Sequence, residues 1–272
     1  MDKIELHDVW KSFGGKAVLR GVDLSVREGE MLVVIGRSGC GKSVMLKHLV
    51  GLIRSDKGSI FVDGEEITGY SEKNLYPVRR KFGFLFQGAA LLDSLTVAEN
   101  VGLGLMELTH RSIDDIRTIV SEKLALVGMA GTGDMMPSDL SGGMKKRVGL
   151  ARAIAMNPEI VLYDEPTTGL DPIMADSINQ LIISLKNALN ITSIVVTHDM
   201  TSARKVGDRV AMLFEGRIIF TGTIDELNGT DDPYVRQFVE GRAEGPIATG
   251  AEQLEKYTPG MKGLQPDNAG LE

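Results

Sequence analysis

Three stretches of the sequence combine residue types and spacings that could do phosphoryl chemistry. The first, Gly36-Arg37-Ser38-Gly39-Cys40-Gly41-Lys42-Ser43, fits the spacing G-x-x-x-x-G-K-S/T. Glycines let successive backbone N–H groups converge on one anion, and a helix starting there adds the positive end of its dipole. Lys42 can then reach the β- and γ-phosphate oxygens of a nucleoside triphosphate, and the Ser43 hydroxyl can hold Mg²⁺. The second, Ile160-Val161-Leu162-Tyr163-Asp164-Glu165, is an apolar run closing on two carboxylates. Successive strand side chains point to opposite sides, so the pair can divide the work at the strand's carboxyl end. Asp164 would hold Mg²⁺, directly or through water, and Glu165 would polarise an attacking water as general base. The third, Leu140-Ser141-Gly142-Gly143-Met144, runs into Lys145-Lys146-Arg147. There Ser141 can cap a helix whose glycines leave N–H groups exposed at the positive end. Cys40 sits inside the first stretch, where a helix N-terminus and Lys42 both act to lower a thiol pKa. A small side chain that fits the turn is the preferred reading.

These residues need elements to carry them. Short β-type runs at Ile4–Val9, Ala17–Val26 and Met31–Ile35 are broken by Gly14-Gly15 and Glu28-Gly29, and the third leads directly into the Gly-rich turn. Lys42–Leu52 reads as a helix with Met45, Leu46 and Leu49 on one face. Ser59–Val62 and Phe82–Phe86 read as strands, the latter ending at Gln87. From Thr96 to Ala155 the period turns helical, interrupted by a Gly, Met and Pro loop over Gly128–Ser138. Ile160–Tyr163 and Ile191–Val196 are β-branched runs suited to buried parallel strands, with helical Met174–Leu189 between them. Val210–Phe214 and Arg217–Phe220 form a hairpin through Glu215-Gly216. Beyond Gly241, Gly and Pro recur without an apolar period. That tail is expected to be disordered or to order on a partner.

Composition narrows the class. The 272 residues are 43% hydrophobic and 25% charged, the balance of a soluble globular chain. No stretch approaches the roughly 18 consecutive apolar residues of a membrane span, and the start does not match a secretory signal. A single cysteine excludes an intramolecular disulfide and a thiolate zinc cluster. The net charge of −7 disfavours a nonspecific nucleic-acid coat.

Taken together, residues 2–239 resemble the ATP-binding-cassette ATPases. Leu140–Met144 is similar to the family signature LSGGQ, and Gln87 resembles the glutamine that links the γ-phosphate site to the transport subunit. Gly169-Leu170-Asp171 resembles the D-loop, and His198, after Ile194-Val195-Val196-Thr197, the switch histidine. Phe13 falls where the family stacks an aromatic ring on adenine. The resemblance implies a P-loop α/β fold: a mainly parallel core sheet, an antiparallel β portion formed largely from residues 2–35, and a helical subdomain near residues 95–155. A tail over 240–272 would follow. It implies ATP and Mg²⁺ as cofactors, with Glu165, His198 and Gln87 catalytic and Ser43, Gln87 and Asp164 at the metal. Phe13, Gly36, Ser38, Gly39, Cys40, Gly41, Lys42, Ser43, Val44, Ser141, Gly142, Gly143 and Asp171 would contact the nucleotide. The phosphate turn and the signature would come from opposite copies of the chain, in a homodimer held by ATP. Two positions depart from the pattern: Val44 replaces a hydroxyl residue, and Met144 replaces the signature glutamine.

Residues 87–101, the LSGGM form, Thr167–Ile173 and Asp232–Phe238 are similar to the ATPases of the Mla/Mce lipid-transport systems. That resemblance implies phospholipid trafficking between inner and outer membrane, with the chain peripheral on the cytoplasmic face of the inner membrane. An inner-membrane permease, a periplasmic MCE-domain lipid carrier and a small STAS-domain subunit would be partners, and no nucleic acid. Three alternatives stay open. Solute importers of the amino-acid type normally keep Gln at Met144, and cassette ATPases acting on DNA or ribosomes carry long insertions or tandem cassettes. A nucleotide-regulated scaffold would have no need of Glu165 and His198.

Overall fold

A computed structural model describes residues 2–248. The strands are β1 (Asp2–Phe13), β2 (Lys16–Arg27), β3 (Met31–Ile35), β4 (Lys57–Val62), β5 (Glu65–Glu66), β6 (Phe82–Leu85), β7 (Ile160–Asp164), β8 (Thr192–Thr197), β9 (Arg209–Phe214) and β10 (Arg217–Gly222). The helices are α1 (Lys42–Leu49), α2 (Glu72–Arg79), α3 (Val97–Leu108), α4 (Ile113–Leu126), α5 (Gly142–Ile154), α6 (Pro172–Leu189), α7 (Met200–Val206), α8 (Ile224–Gly229) and α9 (Pro233–Glu240).

Two sheets form. The larger has the order β10-β9-β3-β8-β7-β6, parallel except for the β9–β10 hairpin. The smaller is antiparallel, β2-β1-β4-β5. The antiparallel portion is therefore built from residues 2–27 and 57–66, and Met31–Ile35 belongs to the parallel sheet instead. The physical reason lies in the burial: all five residues of β3 are buried, as a strand with neighbours on both edges and cover on both faces requires.

Ile4, Leu6, Leu24 and Val26 pack with Leu32, Val34, Leu162, Ile194 and Val196 and with Met45, Leu46 and Leu49 of α1 in one apolar cluster. Each such side chain, fully buried, contributes about 1.5–3 kcal/mol. The cluster fixes the carboxyl ends of β3, β7 and β8 side by side. Helices α3, α4 and α5 pack on one another, and α5 also packs on β6. Thr96 and Ser112 close capping boxes with Glu99 and Asp115, and Ser141 accepts from the Met144 amide at 3.3 Å.

The chain divides into two compact units between Leu227 and Asn228. In the second, Asp232 caps α9, Gly241 ends it in the left-handed conformation, and the Gln237 side chain pairs with the Ile247 backbone in both directions (3.1 and 2.7 Å). Of the tail expected over 240–272, the residues through 248 are described, and the remainder from residue 249 lies outside the described residues. None of the helices among the described residues is long and apolar enough to cross a membrane.

Candidate active site

Strand β3 delivers the chain to Gly36 and the turn into α1. Gly36 takes φ +153°, and a Cβ there would stand 2.3 Å from the Leu213 carbonyl oxygen, so glycine is required. Gly41, at φ +112°, caps α1 without a side-chain acceptor, leaving the first N–H groups of α1 to an outside anion. Lys42 is only 5% exposed. Its ammonium donates to the carbonyls of Gly36 (2.7 Å) and Arg37 (3.1 Å) and lies 3.5 Å from Glu165 Oε1. Cys40 packs against the core, and burial pushes its thiol up despite the Lys42 charge. This agrees with a small side chain that fits rather than a reactive thiolate.

At the end of β7, Asp164 accepts from the Ser43 hydroxyl at 2.8 Å. Burial pushes the Asp164 carboxyl up, with the Ser43 hydrogen bond opposing and the Glu165 charge adding. The Ser43 and Asp164 oxygens form an all-oxygen donor pair. Such a pair suits Mg²⁺, which takes one or two protein oxygens and completes its shell with water and phosphate. No group of three or more His, Cys, Asp or Glu able to hold a metal occurs among the described residues.

Glu165 adopts φ +49°, and its amide donates to the Val196 carbonyl of β8 at 2.9 Å. A left-handed residue other than glycine costs on the order of 1–3 kcal/mol and persists where its surroundings hold it. The buried carboxylate receives the Thr168 hydroxyl at 3.0 Å and meets His198 Nδ1 at 2.9 Å, both on Oε2. Lys42, Ser43, Val44, Ser38, Gly39, Gly41, Gln87 and Glu165, with Val18, line one cleft of ≈ 330 Å³.

Other expected residues stand outside that cleft's lining. Phe13 is 46% exposed, with the Lys11 ammonium 5.4 Å from its ring centre. Ser141 and Gly142 are exposed at the start of α5. Gly143 lies under Met174, whose Cε a Cβ would meet at 2.4 Å. Asp171 caps α6 through the amides of Ile173 and Met174 (both 3.0 Å). Two contributors escaped the sequence reading, Thr168 and Lys146. Lys146 is buried and donates to the carbonyls of Gln87 and Glu165, the latter at 3.1 Å. Its helical spacing from Gly143 and Leu150 placed it on the buried stripe of α5, a signal masked by the neighbouring charges.

Residues 19–168 match the family model described as ABC transporter. The chain belongs to the ABC transporter ATP-binding family. As a member it binds ATP and hydrolyses it to ADP and phosphate. It is 44% identical over 252 residues to the probable ribonucleotide transport ATP-binding protein mkl of Mycobacterium tuberculosis, covering 93% of this chain and 70% of that protein. It is 38% identical over 244 residues to the intermembrane phospholipid transport system ATP-binding protein MlaF of Haemophilus influenzae, covering 90% and 92%. Among solved structures, it is similar to the dimeric ATP-binding cassette MJ0796 bound to ADP and Pi. That likeness has a TM-score of 0.75 at 34% identity and covers 81% of this chain and 98% of that one.

Proposed function

We propose that this ATPase powers phospholipid trafficking between inner and outer membrane. The observation that carries the reading is the match to MlaF over nine-tenths of both chains, joined to a cleft in which Lys42, Ser43, Gln87 and Glu165 meet. In this reading the cassette spans residues 2–239, with its helical subdomain near 95–155 and the tail from 240. Two copies dock on an inner-membrane permease from the cytoplasmic side, which works with an MCE-domain lipid carrier and a STAS-domain subunit. The mkl name favours a second reading, ribonucleotide transport, with the same ATPase chemistry.

The turn Gly36–Ser43 cradles the phosphates, and Lys42 exchanges its carbonyl contacts for β- and γ-phosphate oxygens. Ser43, Asp164 and Gln87 would hold Mg²⁺, which supplies charge neutralisation on those oxygens when bound. Glu165 accepts the proton of the attacking water while His198 and Thr168 hold its carboxylate in place. Ser141, Gly142 and Gly143 offer N–H groups to the same phosphate from the opposite copy, and Phe13 stacks on adenine.

The test is genetic and chemical together. Deleting the gene should raise phospholipid in the outer leaflet of the outer membrane, and the wild-type gene should restore it while Glu165→Gln should not. Unchanged leaflet composition, with loss of ribonucleotide uptake instead, would replace this reading with the second.

A further inference from the structure

Lys146, Gly149 and Arg152 follow one another at three-residue steps along α5, and all three meet the loop that carries Gln87. The Lys146 ammonium donates to the Gln87 carbonyl and, at 3.1 Å, to the Glu165 carbonyl. At Gly149 the loop packs on the helix, where a Cβ would stand 3.2 Å from Ala89 Cβ. The Arg152 guanidinium forks onto two further carbonyls of the loop, Nη1 to Ala90 at 2.7 Å and Nη2 to Ala89. Ala89 and Ala90 hold φ +60° and +48°, two successive left-handed residues that are not glycine. Such a conformation persists only under restraint, and charge-assisted hydrogen bonds, roughly twice as strong as neutral ones, provide it.

We infer that Lys146 and Arg152 are positioning residues: they bind the Gln87–Ala90 loop and the backbone of Glu165 to the helix that begins at Ser141. The signature end of α5, the glutamine loop and the general base then form one body. A displacement of Ser141 is carried to Gln87 and Glu165 along a single helix. The inference rests on the roles given above to Glu165 and Gln87.

The test uses the full chain. Lys146→Met keeps the apolar stem and leaves both carbonyls without their donor. Its kcat should fall about tenfold or more, with KM within about threefold of wild type, because the loss falls on alignment rather than on nucleotide binding. Lys146→Arg, whose guanidinium can reach both carbonyls, should recover most of that loss. If Lys146→Met does not fold, Lys146→Gln is judged by the same kcat and KM criteria. Arg152→Met should raise amide exchange at 88–92 by about tenfold and leave β3 and β7 unchanged, and Arg152→Lys should restore part of the protection. The inference is overturned if the Lys146 variant keeps kcat within about twofold, or if exchange rises equally in β3 and β7. Glu165→Gln runs alongside. If it keeps its turnover, the role of Glu165 fails; if it loses turnover while Lys146→Met does not, only the present inference fails.

Discussion

The Glu165 carboxylate receives contacts from three separate parts of the chain: Lys42 at the start of α1, Thr168 just beyond β7, and His198 just beyond β8. A general base must both accept a proton and hold its direction, and those two demands separate by substitution. Glu165→Gln removes proton acceptance at nearly constant shape, so steady-state phosphate release should drop by roughly 10²–10⁴ while ATP binding survives. Thr168→Val removes only one donor to Oε2. One hydrogen bond is worth about 1 kcal/mol, so kcat should fall about fivefold with KM unchanged. A larger effect at Thr168 than at Glu165 would exchange their roles. Lys42, Ser43, Asp164 and Glu165 were legible in the sequence because their chemistry demands fixed spacing beside a strand end. Lys146 was not, because its partners lie far along the chain, at Gln87 and Glu165. Thr168 was not, because a hydroxyl three residues past Glu165 belongs to no fixed spacing and meets the carboxylate only through the local turn. A donor's worth there depends on tertiary placement rather than on local pattern.

The elements show the same division. β7 announces itself as an apolar run and β8 as a β-branched one because both faces are covered, and the β9–β10 hairpin does so through its Glu215-Gly216 turn. β1 was underestimated: Asp8 sits at φ +46° beside a register shift, so Leu6 and Val9 are both buried and strict alternation fails. α2 carries Pro77 in its interior and has no counterpart among the elements read from the sequence. The two sheets are also tied by charge. Asp63, in the β4–β5 turn, meets Lys3 of β1 at 2.7 Å and Lys81 at 2.5 Å, and Lys3 reaches Glu159 just before β7. Burial pushes the Asp63 carboxyl up, but the hydrogen bonds from Lys3 and Lys81 outweigh it and hold the carboxyl below the usual range. A lowered folded value means stabilisation that is present above the ordinary aspartate pKa and lost as acid passes through the lowered one. Asp63 sits at φ +54°, a left-handed conformation that Asp63→Asn tolerates while removing only the charge. Its urea midpoint at neutral pH should correspond to a loss of about 1 kcal/mol, since the network is partly exposed. The gap to wild type should close below about pH 4. A gap independent of pH would assign the effect to the turn.

At the scale of the whole molecule, two helix starts suited to an anion do not share a cleft within one chain. Lys42 and Ser43 line the cleft at α1, whereas Ser141 and Gly142 stand exposed at α5 and outside its lining. A second copy in head-to-tail arrangement brings Ser141 of one chain to Lys42 of the other, as proposed above. On that proposal each chain brings −7, so two copies would repel modestly until Mg²⁺-ATP bridged them, and the pair would be conditional on nucleotide. Lys42→Ala and Ser141→Arg should each leave ATPase activity near background. Mixed in equal amounts, half the pairs combine one of each. Such a pair has one site with both lesions and one with neither. Activity should therefore recover to about a quarter of wild type, because half the pairs each keep one of two sites. Equal mixing that never exceeds either variant alone, together with Glu165→Gln remaining monomeric by light scattering in saturating Mg²⁺-ATP, would mean that each chain completes its own site.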